Sequence, residues 1–312
     1  MLIFLLLLVL LVPACSRDPE PVSTWGLNQE ILSVYLLPMH NHLIVVSKTR
    51  LRQILVGRQG KDIATYPIPG YENGKVVCTN ETCWIGGLIG RQGKLTSVHL
   101  QNGTTVDIGK YPLTEVYDLV LLDRSNRLAT AHANGEIVLW DLTSGKQQKV
   151  FGGRDIEIYA LAALESAGKL YSGNAEGVLD TWDINSGRKI ASTRNEGSSI
   201  FSILYNPFKR VLLSAGGNGI LYVRREANLA LQMQINLGNG AIFSCDNGLD
   251  ALVICGLTGG KIAVINIETS KFDIKRLHKG DVTYVKANEE GTIVTASKDG
   301  VIKLWKASTL NP

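Results

Sequence analysis

Along most of the chain, short apolar stretches with a period of two alternate with clusters of turn residues. Val116 to Leu122 is apolar, Asp123-Arg124-Ser125-Asn126 is a turn, and Arg127 to Ala131 is a second strand-like stretch. A tight turn with a glycine comes next, then the alternating stretch Glu136 to Trp140, then the polar stretch Lys146 to Phe151. A period of two lays one face of a strand on a core and leaves the other polar. No segment carries an apolar 3.6-residue period long enough for a helix. The internal glycines would each cost a helix about 1 kcal/mol. The pattern predicts an all-β chain.

The same order of elements recurs. GEIVLWD from Gly135, GVLDTWD from Gly177 and GVIKLWK from Gly300 each join a turn glycine to an alternating strand and a tryptophan; GKLTSVH from Gly93, GILYVRR from Gly219 and GKIAVIN from Gly260 keep the phase without the tryptophan. The starts at 93, 135, 177, 219, 260 and 300 are evenly spaced. One step back reaches Leu51, where LRQILVG keeps the strand and loses the glycine. Four strands per unit of roughly 40 residues is the sequence pattern of a propeller blade. One blade cannot bury both of its faces, so seven units are expected to stack in a ring over residues 25–312.

These residues resemble the WD-repeat family. In that family a loop histidine, a strand Ser or Thr, a turn aspartate and the strand tryptophan form a buried hydrogen-bonded set. The resemblance implies such a set at His278, Thr295, Asp299 and Trp305, with Thr130 and Asn134 beside Trp140, and Ser172 and Glu176 beside Trp182. Arg224 and Ile265 stand where tryptophan is expected in two further units. It also implies that an N-terminal segment, Thr24 to Glu30, completes the last blade. That would remove a sheet edge prone to aggregation. The resemblance is specific for the fold and weak for function.

The first residues change the picture. Leu2 to Val12 is an apolar run, followed by Val12-Pro13-Ala14-Cys15. The run is too short for a bilayer-spanning helix, which needs roughly 20 residues, and matches the apolar core of a signal peptide. Small residues before a cysteine resemble a bacterial lipobox, in which Cys15 would be lipidated. The expected organisation is a signal peptide at 1–14, a lipidated Cys15 with a polar tether to 24, and the propeller. Plain secretion after Ala14 uses the same residues.

Four cysteines remain, in two local pairs. Cys78 and Cys83 flank a hairpin turn and suit a disulfide in an oxidising compartment. Cys245 and Cys255 read equally as a bridge or as small core residues. Asn80-Glu81-Thr82 and Asn102-Gly103-Thr104 match a glycosylation pattern that the lipobox reading makes irrelevant.

Charge is dilute, at 19% with a net +4, and no basic run exceeds two residues, which argues against a nucleic-acid partner. No catalytic motif, metal-site spacing or phosphate-binding loop occurs, and His40 and His42 read as turn residues rather than a metal pair. No cofactor, metal or small-molecule ligand is expected. The expected function is a non-catalytic scaffold, lipid-anchored in a bacterial cell envelope and facing the periplasm or exterior. It would dock a protein partner on a rim that includes Arg50, Arg91, His132, Glu176, Asn218 and Lys298. Two other readings stay open. A hydrolase or lyase at the channel mouth would need histidines and carboxylates converging there. A cytosolic scaffold with a misassigned start would have free cysteines and no lipid.

Overall fold

The structure is a computed structural model, and it describes residues 19–27, 29–37, 42–56, 61–109 and 114–310. The apolar run, Cys15 and His40 lie outside these residues. The strands form seven four-stranded antiparallel sheets. Six of them take their strands in sequence order. Their innermost strands are Ser33–Leu36, Asn73–Cys78, Val116–Leu122, Ile158–Leu164, Ile200–Asn206 and Ile242–Asn247, which number the first to sixth blades.

The seventh blade begins at Val282–Ala287 and continues through Thr292–Ser297 and Val301–Lys306; its outermost strand is Ser23–Gly26, paired Ser23 with Leu304 and Gly26 with Val301. The two ends of the chain thus close the ring, as the repeat implied. Innermost strands of successive blades pack on one another, and the first packs on the seventh.

The core sits between blades. Leu213, Leu221 and Val223 of the fifth blade cluster with Val253, Cys255, Ala263 and Ile265 of the sixth. Leu43 and Val45 of the first cluster with Val294, Ala296, Ile302 and Leu304 of the seventh. Each fully buried aliphatic side chain contributes about 1.5–3 kcal/mol relative to exposure, so every blade depends on both neighbours. A polar belt supplements the packing: Ser33, Asp118, Ser202 and Ser244 accept the backbone N–H of Val76, Leu161, Cys245 and Val285 in the following blade, at 3.2, 2.7, 3.0 and 3.3 Å.

The turn glycine has a double reason to be glycine. In the third to seventh blades Gly135, Gly177, Gly219, Gly260 and Gly300 all have φ between 71° and 80°, a region that costs other residues roughly 1–2 kcal/mol. A Cβ on Gly260 would also stand 1.9 Å from the His278 carbonyl oxygen. That closeness carries the Leu277 N–H to Gly260 O bond, 2.8 Å, which leads the chain into the next blade.

Two units depart from the register read along the chain. In the second blade Gly93 lies inside the strand Gln92–His99, opposite Leu88, and the hairpin turns one pair further out, beyond Ile89 and Gln92, at Gly90, whose φ is 61°. In the first blade Leu51 pairs with Val46 as Ile302 pairs with Ala296, two residues beyond the turn. Thr49 therefore holds the glycine's place, and its carbonyl accepts the Ile68 N–H at 3.0 Å.

Candidate functional site

Within the blades the family's polar set can be followed atom by atom. In the seventh, Trp305 Nε1 donates to Thr295 Oγ1 at 3.0 Å and His278 Nε2 lies 2.7 Å from the same oxygen. Asp299 accepts the backbone N–H of Lys279, Gly280 and Val301 at 2.9, 3.3 and 2.9 Å, which holds its carboxyl below the usual range although burial opposes this. Burial outweighs the pull of Asp299 and lowers the His278 pKa to about 4. In the third and fourth blades Trp140 donates to Thr130 Oγ1 at 2.9 Å and Trp182 to Ser172 Oγ at 2.8 Å. The turn acceptors there are Asn134 and Asn174; Glu176 is not one of them.

The blades without tryptophan are rebuilt rather than merely worn. In the fifth, the buried Arg224 guanidinium donates to Arg194 O at 3.0 Å, Asn195 Oδ1 at 3.3 Å and Leu229 O at 3.3 Å, while Asn195 Nδ2 donates to Ser214 Oγ at 3.1 Å. Asn195 and Ser214 thus receive the cation that replaces the indole. In the sixth, Ile265 replaces the indole and Cys255 replaces the hydroxyl. Cys255 pairs opposite Cys245, to which it is disulfide-bonded; Cys78 and Cys83 are joined in the same way across the second blade's hairpin.

One face of the ring carries the turns before each third strand, the loops between blades and the first residues of the innermost strands. On it lies a feature that the sequence reading missed. Tyr117, Tyr159, Phe201 and Phe243 occupy one position in four consecutive blades and touch ring to ring, with centroids 5.0, 5.7 and 6.3 Å apart. All four are half-buried at the mouth of the central channel. Each precedes its unit's turn glycine by nearly the same interval, Tyr117 before Gly135 as Phe201 before Gly219. That phase was legible once the aromatic positions were set against the repeat.

Two residues before this position stand Glu115 and Glu157, and at the equivalent place in the seventh, first and second blades stand Asp281, Glu30 and Glu72. Carboxylates therefore ring the same mouth. Glu30 pairs with Lys48 at 3.7 Å and Asp281 with Lys298 at 3.4 Å, whereas Glu72 and Glu157 are in no ion pair among the described residues. Burial, and then the charge of Glu115 beside it, pushes the Tyr117 phenol up to about 12.

The expected rim residues divide. Arg50, Arg91, Glu176 and Lys298 are exposed on this face. His132 is not: it is 1% exposed, with Nε2 2.8 Å from Thr130 Oγ1. The hydroxyl that accepts the Trp140 indole draws it inward, which corrects the rim expectation. Asn218 is half-buried and tied into its own turn through Ile220 N, Glu196 O and the Tyr222 hydroxyl.

Below the mouth the channel forms a cavity of about 490 Å³ lined by Lys75, Asp118, Lys286, Tyr35, Tyr284 and the belt serines. Lys75 Nζ lies 4.6 Å from the Tyr284 ring centroid. Among the described residues, no histidine lines this cavity. His42 lies in a strand of the first blade, its Nδ1 3.0 Å from Gln53 Nε2.

A family model described as WD domain, G-beta repeat matches residues 273–306, the last outer strand of the sixth blade and the body of the seventh. No curated protein matches the chain. Among solved structures, it is similar to the computationally designed Ika8 protein, with a TM-score of 0.71 and 15% identity over 92% of this chain and 99% of that one. At that identity the likeness concerns the fold alone. The matched repeat and the seven-blade ring of four-stranded sheets support the WD-repeat β-propeller family. Propellers of this class are generally non-enzymatic scaffolds that bind protein partners.

Proposed function

We propose that the protein is a non-catalytic interaction scaffold that docks a protein partner on the turn-bearing face, tethered through a lipidated Cys15 on the extracytoplasmic side of a bacterial envelope. The observation that carries the docking reading is the continuous aromatic run at the channel mouth, set inside a ring of carboxylates and bordered by exposed Arg50, Arg91, Glu176 and Lys298. Aromatic residues and arginine are enriched at interface centres.

The tether fits this reading. Gly26 pairs with Val301 beside the Gly300 turn, and Ser23 pairs with Leu304 toward the opposite face. The chain thus enters the ring from the face without the aromatic run. Ser23 follows Cys15 by only eight positions, a reach of roughly 26–29 Å when extended. An anchor at Cys15 holds the opposite face toward the membrane and presents the aromatic mouth outward.

The experiment places a photocrosslinking residue at Glu176 on the proposed face or at Phe208 on the other, in cells carrying wild-type or Cys15→Ala protein. A partner adduct from Glu176 alone, with Cys15→Ala released from membranes, supports the reading. Adducts from Phe208 alone, or unchanged membrane partition, refute its docking or anchoring half respectively.

A further inference from the structure

The aromatic run is not uniform in what already covers it. Lys298 Nζ lies 5.4 Å from the Phe243 centroid, and within the channel Lys75 holds a similar position over Tyr284. The molecule thus places two of its own cations on ring faces, one at the mouth and one within the channel. No described cation lies over the rings of Tyr117, Tyr159 or Phe201, although these three are in continuous contact at 5.0 and 5.7 Å. Glu115 and Glu157 stand directly beside them, and Glu157 is in no ion pair among the described residues.

A ring face is the negative end of an aromatic quadrupole and attracts a cation. An apolar occupant would desolvate the adjoining carboxylates with nothing in return. A guanidinium or ammonium satisfies both, with a planar face or methylene stem on the rings and N–H donors to the carboxylates.

We propose that Tyr117, Tyr159 and Phe201 receive an arginine or lysine side chain from an extended basic segment of the partner protein, with Glu115 and Glu157 accepting its N–H groups. The inference rests on the docking reading above and adds the chemistry of the occupant.

The test titrates the full chain with a synthetic ten-residue Gly/Ser peptide carrying three arginines, and with its citrulline twin, by calorimetry at 0.15 M salt. The arginine peptide is expected to bind at least about tenfold more tightly than the citrulline twin. Tyr159→Leu and Glu157→Gln should each weaken it roughly three- to tenfold, the range of one cation–π or charge-assisted contact, while Tyr159→Phe keeps the ring and most of the affinity. Melting temperatures confirm that these half-exposed variants are folded. Equal binding of the twin, no binding of the arginine peptide, or indifference to Tyr159→Leu and Glu157→Gln overturns the inference. If partner adducts from Glu176 persist while the arginine peptide fails, the docking reading stands and only the cationic occupant is lost. Free argininamide binding as tightly as the peptide would also overturn it, in favour of a small-molecule cation.

Discussion

Trp305 and Thr295 are joined by a 3.0 Å hydrogen bond from indole to hydroxyl, and His278 meets that same hydroxyl from the other side at 2.7 Å. One oxygen, wholly buried, ties together two strands of the blade that closes the ring and the loop that leads into it. Thr295→Val keeps the shape and removes the oxygen, leaving both the indole N–H and the imidazole without it. A loss of about 1–3 kcal/mol is expected, read as a lowered urea midpoint with an unchanged m-value.

Arg224 occupies the indole's place in the fifth blade. Arg224→Met keeps the stem and deletes the donors, stranding Asn195 and the Arg194 and Leu229 carbonyls. Stability should fall by about 1–3 kcal/mol. Asn195→Ala leaves a buried cation with fewer acceptors and should be at least as harmful. Thermal melts of the two single variants and the double variant would yield a coupling energy well above zero if they form one network.

Gly260→Ala meets both a left-handed φ of 75° and a backbone oxygen 1.9 Å from the new methyl. It should cost more than the roughly 1–2 kcal/mol of the dihedral alone and disturb the loop to His278. Gly197→Ala, at φ 66° with no atom within 4 Å of the methyl, should show the dihedral cost only.

His278 is neutral in the folded protein down to about pH 4 because burial excludes its charged form. The unfolded chain takes up the proton near pH 6.5. Its contribution to stability is therefore complete above pH 6.5 and is lost progressively as pH falls toward 4. The buried His132, whose pKa is also lowered by burial, acts in the same direction. Urea midpoints between pH 7 and 4 should decline, and His278→Gln should flatten the decline.

The bonds Cys78–Cys83 and Cys245–Cys255 close sequence separations of 5 and 10. Loop-closure entropy assigns them about 2 and 2.7 kcal/mol. Reduction should lower the melting temperature without unfolding the ring, because each bond spans adjacent strands already paired in one sheet. Cys245→Ser with Cys255→Ser should lower it further than Cys78→Ser with Cys83→Ser.

Seven units, four strands each and the closing N-terminal strand were legible because a blade's needs are local and repeated. Apolar alternation fixes the buried face, and a turn glycine is required wherever φ is positive. The register failed only at Leu51 and Gly93: in the first blade Thr49 takes the glycine's place, and in the second the positive φ falls on Gly90 while Gly93 lies inside the strand. The tertiary structure alone decided which side chains meet across blades. His132 looked like a rim residue and is buried, because an oxygen two positions away in its own strand, already bonded to an indole in the next, draws it inward. Tyr117, Tyr159 and Phe201 looked like ordinary strand residues and form one surface, because ring closure brings the same position of successive blades into contact, at 5.0 and 5.7 Å between ring centroids. Periodicity is written in the chain; contact between periods exists only once the ring has closed.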